Sequence, residues 1–142
     1  MIKSVVFDLD DTLTNLYNEL FEETVPILNY LKCQGLDLYI ASHNGSGEKI
    51  LEELGIKHYF LGFSCGIKDT SNKLGNLAEL PVKRETTVFF DDYGPNVITG
   101  RAQGWKFIKV KPSGVSWENI ESVFDEPTES FKVNDNMREI KK

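Results

Sequence analysis

Two pairs of carboxylates, Asp8 with Asp10 and Asp91 with Asp92, each follow directly on an apolar run, Val5-Val6-Phe7 in one case and Val88-Phe89-Phe90 in the other. In an extended segment, Asp8 and Asp10 point the same way and Asp11 faces elsewhere. Asp11 therefore reads as a turn or capping residue. If the two pairs meet at adjoining strand ends, each like-charge pair at about 4 Å costs roughly 4 kcal/mol at an effective dielectric near 20. A cation is needed to hold them together. Hard oxygen donors with no His or Cys among them suit magnesium, which takes one or two carboxylates and completes its shell with water and phosphate.

The elements that must position these acids follow from the pattern. A β-branched run too short for helical periodicity reads as a strand buried on both faces, as in a parallel sheet. Its acidic end then lies at the carboxyl edge of the sheet, where open α/β folds place their ligand sites. Apolar residues at Leu16, Leu20, Val25, Leu28 and Leu31 predict a helix within 16–31, with Gly35 to stop it. Pro26 argues for a start near Glu22.

Further along, strands are predicted over 36–41, 58–63, 86–90 and 105–110, and helices over 48–54, 68–80, 96–102 and 117–124. Strands alternating with helices imply a parallel sheet with crossover connections. The expected fold class is thus α/β, a three-layer α/β/α sandwich around a central parallel sheet. One domain is expected over 1–125. Residues 126–142 read as a C-terminal extension whose polar end, from Asn134 on, is expected to fray.

Composition narrows the function classes. The 142 residues carry a net charge of -6, which disfavours broad adhesion to nucleic acid or anionic membrane. No apolar run is long enough to cross a bilayer, and Met1-Ile2-Lys3-Ser4 runs straight into the first strand, so a cytoplasmic location is expected. Cys33 and Cys65 lie far apart without zinc-ligand spacing and read as reduced thiols. Asn44-Gly45-Ser46 reads as a turn rather than a glycosylation site.

The run Asp8-Leu9-Asp10-Asp11-Thr12-Leu13 resembles the D-x-D-x-T-L motif of the haloacid dehalogenase-like phosphatases. Other motifs follow in order over residues 3 to 110: Ser42, after Tyr39-Ile40-Ala41, resembles the phosphate-binding Ser or Thr of the family; Lys68 or Lys73 resembles its lysine; Phe89-Phe90-Asp91-Asp92 resembles its final acidic motif. The resemblance implies a Rossmann-like core and magnesium-dependent hydrolysis of phosphomonoesters. Asp8 is then the nucleophile that forms an aspartyl-phosphate, and Asp10 the acid/base that protonates the leaving oxygen and later deprotonates water. It also implies that magnesium is held by the Asp8 carboxylate, the Asp10 main-chain carbonyl and Asp92.

Around these, Asp91 is expected to support the site by pairing with the lysine, with Thr12 and Asn96 as further supporting residues. Relatives place an acid where Asn96 stands, which makes Asn96 a departure from the pattern. Of the two lysines, Lys68 is preferred, because Gly66-Ile67-Lys68 would set it at the mouth of the 68–80 helix while Lys73 would lie on a solvated face. Lys68 is thereby a catalytic and phosphate-binding candidate alongside Ser42. His43 is a specificity candidate beside Ser42, and an ordinary loop histidine otherwise.

The intervals from Thr12 to Ser42 and from Ser42 to Lys68 are short, so the resemblance is to capless members with open sites. Within these, the chain is most similar to the magnesium-dependent phosphatase type, which implies phosphotyrosine or phosphoprotein, or phosphosugar, substrates. A 3'-phosphatase of nucleic-acid ends is an alternative that the acidic charge disfavours. A non-enzymatic receiver-like domain is another, but the segment 59–63 lacks the Asp that a receiver would phosphorylate. Oligomeric state is not legible.

Overall fold

In the computed structural model, residues 1–68 and 72–124 are described. Five parallel strands form one sheet in the order β3-β2-β1-β4-β5, with β1 Ser4–Phe7, β2 Asp37–Ser42, β3 Gly62–Cys65, β4 Thr87–Asp91 and β5 Lys106–Lys109. β1 is central, pairing Phe7 with Ile40 of β2 and with Phe90 of β4. Its residues Val5, Val6 and Phe7 are wholly buried, as a strand covered on both faces requires.

Alternation along the strands divides the core in two. Val5, Phe7, Leu38, Ile40, Val88 and Phe90 pack with helices α1 (Thr24–Cys33), α2 (Gly47–Glu53) and α5 (Trp117–Phe124). On the other face, Val6, Tyr39, Ala41, Phe89 and Phe107 pack with α3 (Leu74–Ala78) and α4 (Gly94–Ala102). These are the three layers. Gly100 is what lets α4 close onto the sheet, since a Cβ there would fall 2.1 Å from the Phe107 ring.

Two helices differ from expectation. α1 begins at Thr24, so Pro26 falls in its first turn, where its missing N–H costs nothing. Leu16 and Leu20 are not helical: residues 10–20 form a flap, tied by bridges of Thr14 to Asp10 and to Leu20. The Asn15 side chain turns this flap by accepting from the Tyr17 and Glu19 amides, at 2.8 and 3.1 Å. α3 likewise starts only at Leu74, whose amide is capped by Asn72 at 2.9 Å. The third strand lies at Gly62–Cys65, later than its predicted position, because Lys57–Tyr59 forms a 3-10 turn first.

Among the described residues no helix is long and apolar enough to cross a membrane. The intervals after β1 and β2 hold the flap and short elements rather than an inserted domain. The expected extension over 126–142 lies outside the described residues.

Candidate active site

Asp8, the first residue after β1, is fixed by its own amide, which donates to the Phe90 carbonyl of β4 at 3.0 Å. That bond carries the sheet one residue past the strand and sets Asp8 beside the end of β4. There it meets Asp91 and Asp92: one oxygen from each of the three carboxylates lies within 4.8 Å of the others. The parallel pairing of β1 with β4, Phe7 opposite Phe90, is what joins them.

Lys73 enters this cluster. Its Nζ donates to Asp8 Oδ1 at 2.8 Å and to Asp91 Oδ2 at 3.3 Å, with all three side chains buried. This overturns the preferred placement of the lysines. Lys68 does not reach the acids; it pairs with Glu79 at 3.3 Å. The physical reason lies in the loop after β3. Gly66 takes a left-handed φ of +104°, and the helix that was expected to start at Lys68 starts at Leu74 instead, so the residue at its mouth is Lys73.

Asp91 is fully engaged. It accepts from Lys73, from the Tyr93 amide at 2.9 Å and from Asn96 Nδ2 at 3.1 Å. Asn96, on the first turn of α4, thus touches Asp91. Thr12 Oγ1 lies 3.4 Å from both Asp8 Oδ2 and Asp92 Oδ1, so its single proton is shared between them.

The charges do not balance. Three carboxylates gather beside one ammonium, which pairs with Asp8 and Asp91, and the ionised site carries an excess of negative charge. Burial pushes the Asp8 carboxyl well above its usual value of 3.8; Lys73 pulls it down, and the neighbouring Asp91 and Asp92 push it up again. Burial also disfavours the Lys73 ammonium, but Asp8 and Asp91 outweigh it and hold its pKa above 10.5. A crowded set of hard oxygen donors with surplus negative charge fits a divalent cation.

Asp10 stands apart from this cluster, half-buried, and accepts from Asn44 Nδ2 at 3.2 Å. Asn44 was missed in the sequence except as a turn residue. It organises the loop after β2: its amide donates to Ser42 Oγ at 3.1 Å, and its Oδ1 accepts from the Ser46 amide at 2.9 Å. Ser42 is buried at the end of β2. His43 is partly buried, and its Nε2 is enclosed without a hydrogen-bond partner among the described residues.

A second missed residue is Asn76, one turn after Lys73. Its Nδ2 lies 3.1 Å from the Ser64 carbonyl, 3.0 Å from that of Gly66 and 3.4 Å from that of Ser42. It pins α3 to the ends of β2 and β3. A buried polar residue inside a short helix was the available signal, but its partners are distant in sequence.

The sequence matches no family model and no curated protein. Solved structures do match. A haloacid dehalogenase-like hydrolase from Streptococcus pneumoniae superposes with a TM-score of 0.66 at 14% identity, over 84% of this chain and 90% of the other. A predicted phosphatase from Clostridium acetobutylicum gives 0.69 at 17%, over 87% and 91%. The β-phosphoglucomutase of Clostridium difficile gives 0.68 at 12%, over 99% and 100%. The fold of this chain is the haloacid dehalogenase-like α/β sandwich, with an acidic cluster at the carboxyl edge of its central strands.

Proposed function

We propose that the chain is a magnesium-dependent phosphomonoester hydrolase with Asp8 as nucleophile and Asp10 as general acid/base. The observation that carries this reading is the Lys73 ammonium held between Asp8 and Asp91 at the carboxyl edge of the two central strands. A buried acid pinned by a lysine, with an acid/base two residues on, is the apparatus for covalent phosphoryl transfer.

Asp8 attacks phosphorus while the bond from phosphorus to the leaving oxygen breaks, and Asp10 gives that oxygen its proton. Asp10 then takes a proton from water, whose oxygen attacks the aspartyl-phosphate and restores the Asp8 carboxylate. Asn44 occupies Oδ2 of Asp10, and among the described residues no hydrogen bond takes Oδ1, which serves this traffic. Lys73 orients Asp8 and offsets charge on the transferring group. Ser42 and the loop ordered by Asn44 offer donors for phosphate oxygens, and His43 flanks them.

Asp8, Asp92 and the Asp10 carbonyl would hold the cation, while Asp91, occupied by Lys73, Tyr93 and Asn96, positions them. When bound, magnesium screens Asp8 from the phosphate it attacks. The substrate is a phosphorylated small molecule or protein group that can reach an open edge. The test is phosphate release from p-nitrophenyl phosphate. Magnesium-dependent turnover that disappears in Asp8→Asn is expected; full activity in that variant, or in excess chelator, would overturn the reading.

A further inference from the structure

Asp92 has a second neighbourhood. Beside it opens a cavity of about 840 Å³, walled on one side by the flap and on the other by the chain leaving β5. That size is in the range of pockets that enclose a small organic molecule, roughly 300–1,000 Å³.

The tip of the flap is apolar, although Asn15 and Asp11 line the cavity beside it. Leu16 and Tyr17, at its tip, are 82% and 81% exposed, so a ligand there would cover apolar surface that water now touches. Phe21, deeper in, is fixed: the chain at Gly114 runs so close that a Cβ there would lie 2.2 Å from the Phe21 ring. The opposite wall is cationic. Lys109 and Lys111, two residues apart, both line the cavity. Lys109 has no ion pair among the described residues, and Lys111 meets Glu118 only at 3.7 Å with both side chains mostly exposed, a pairing an incoming anion can replace.

The cavity borders the acidic cluster at Asp92. The flap begins at Asp10, through its bridge to Thr14, and Asp11 and Asp92 line the cavity floor. A leaving group extending past Asp92 would enter it between the flap and the chain leaving β5.

We propose that this cavity is the leaving-group subsite, and that it selects aryl phosphomonoesters bearing a carboxylate. The ring lies against Leu16, Tyr17 and Phe21, and the carboxylate meets Lys109 and Lys111. A polyol body such as a sugar would leave the apolar wall unmatched. The proposal rests on the phosphatase reading above. The same chemistry can be free or carried by a peptide as phosphotyrosine beside an acidic residue.

The test compares kcat/KM for 3-(4-phosphonooxyphenyl)propanoate with that for its neutral amide, whose leaving phenol is nearly unchanged. The acid is expected to be preferred by about fivefold. That ratio should fall towards one in the Lys109→Met, Lys111→Met double variant, and Tyr17→Ala should raise KM for both esters. Equal rates for acid and amide, or a ratio indifferent to the double variant, would overturn the subsite while leaving the phosphatase reading intact. If no ester is turned over, that reading fails, and calorimetry with 3-(4-hydroxyphenyl)propanoate decides the subsite alone. Binding lost in the double variant upholds it, and no binding to the unaltered chain overturns it. An acidic phosphotyrosine peptide that surpasses the free acid with the same lysine dependence upholds the subsite and places its substrate on a protein.

Discussion

Lys73 and Asn76 stand one turn apart at α3 and act on different parts of the sheet edge: Lys73 grips Asp8 and Asp91, while Asn76 grips the carbonyls of Ser64 and Gly66 at the end of β3. The second grip sets the first. With α3 only five residues long, its own helical bonds cannot hold its position, and the Asn76 amide is what fixes the height from which Lys73 reaches the acids.

Asn76→Ala should therefore lower kcat more than it raises KM, with a stability loss of about 1–3 kcal/mol for the buried carbonyls left unpaired. Steady-state kinetics and denaturant titration separate the two effects. A variant with unchanged kcat would show that α3 is held by its apolar contacts alone.

Lys73→Met should cost on the order of 10²–10³ in kcat/KM, since it removes a preorganised charge at the reacting group. It should also destabilise the fold by about 3–5 kcal/mol at neutral pH, because Asp8 and Asp91 are left buried without their cation. Lys68→Met removes only a partly exposed pair with Glu79 and should change both by little. Phosphate release and melting temperatures of the two variants, side by side, decide between the lysines.

The raised pKa of Asp8 makes the metal-free fold sensitive to pH. Above 3.8 the unfolded chain has released the Asp8 proton while the folded chain still holds it, so stability falls as pH rises through this window towards the folded pKa. Asp8→Asn, which carries no charge to bury, should melt higher than the unaltered chain in chelator at neutral pH, and the gap should close towards pH 4. Magnesium binding needs the ionised carboxylate, so its stabilisation should be larger at pH 7 than at pH 5. Thermal melts with and without magnesium across this range are the measurement; a magnesium effect that grows towards acid would contradict the assignment of Asp8 as a ligand.

Asp92→Asn should raise the magnesium concentration needed for half-maximal activity at least about tenfold, while Asn96→Ala, which acts on Asp91, should have a smaller effect. Magnesium titrations of phosphate release order the two.

Gly100→Ala tests the fold itself. Its Cβ would overlap the Phe107 ring, which is stacked on Phe89 at 4.5 Å and has no room to retreat. A loss of about 1–3 kcal/mol or more is expected, and partial recovery in the double variant with Phe107→Leu, by denaturant unfolding, would locate the strain in this pair.

Sequence alone determined the parallel α/β sandwich, because buried runs such as Val5-Val6-Phe7 and Val88-Phe89-Phe90 have the length and branching of central strands and alternate with helical periods. It also determined that Asp8 and the Asp91-Asp92 pair would stand at strand ends, since each breaks a run that must stop where burial stops. What it could not determine was where the longer loops carry their side chains. The flap at 10–20 carries apolar residues at helical spacing, yet Asn15 and the Thr14 bridges turn it into a wall of the cavity. The lysine was misplaced for the same reason: the left-handed turn at Gly66, the Asn72 cap on Leu74 and the carbonyls bound by Asn76 accompany a late start of α3, and Lys73 rather than Lys68 reaches Asp8. Periodicity registers how a segment pairs with its own neighbours. The position of a side chain at the end of a loop depends on bonds to residues far away in the chain, and these exist only once the sheet has formed.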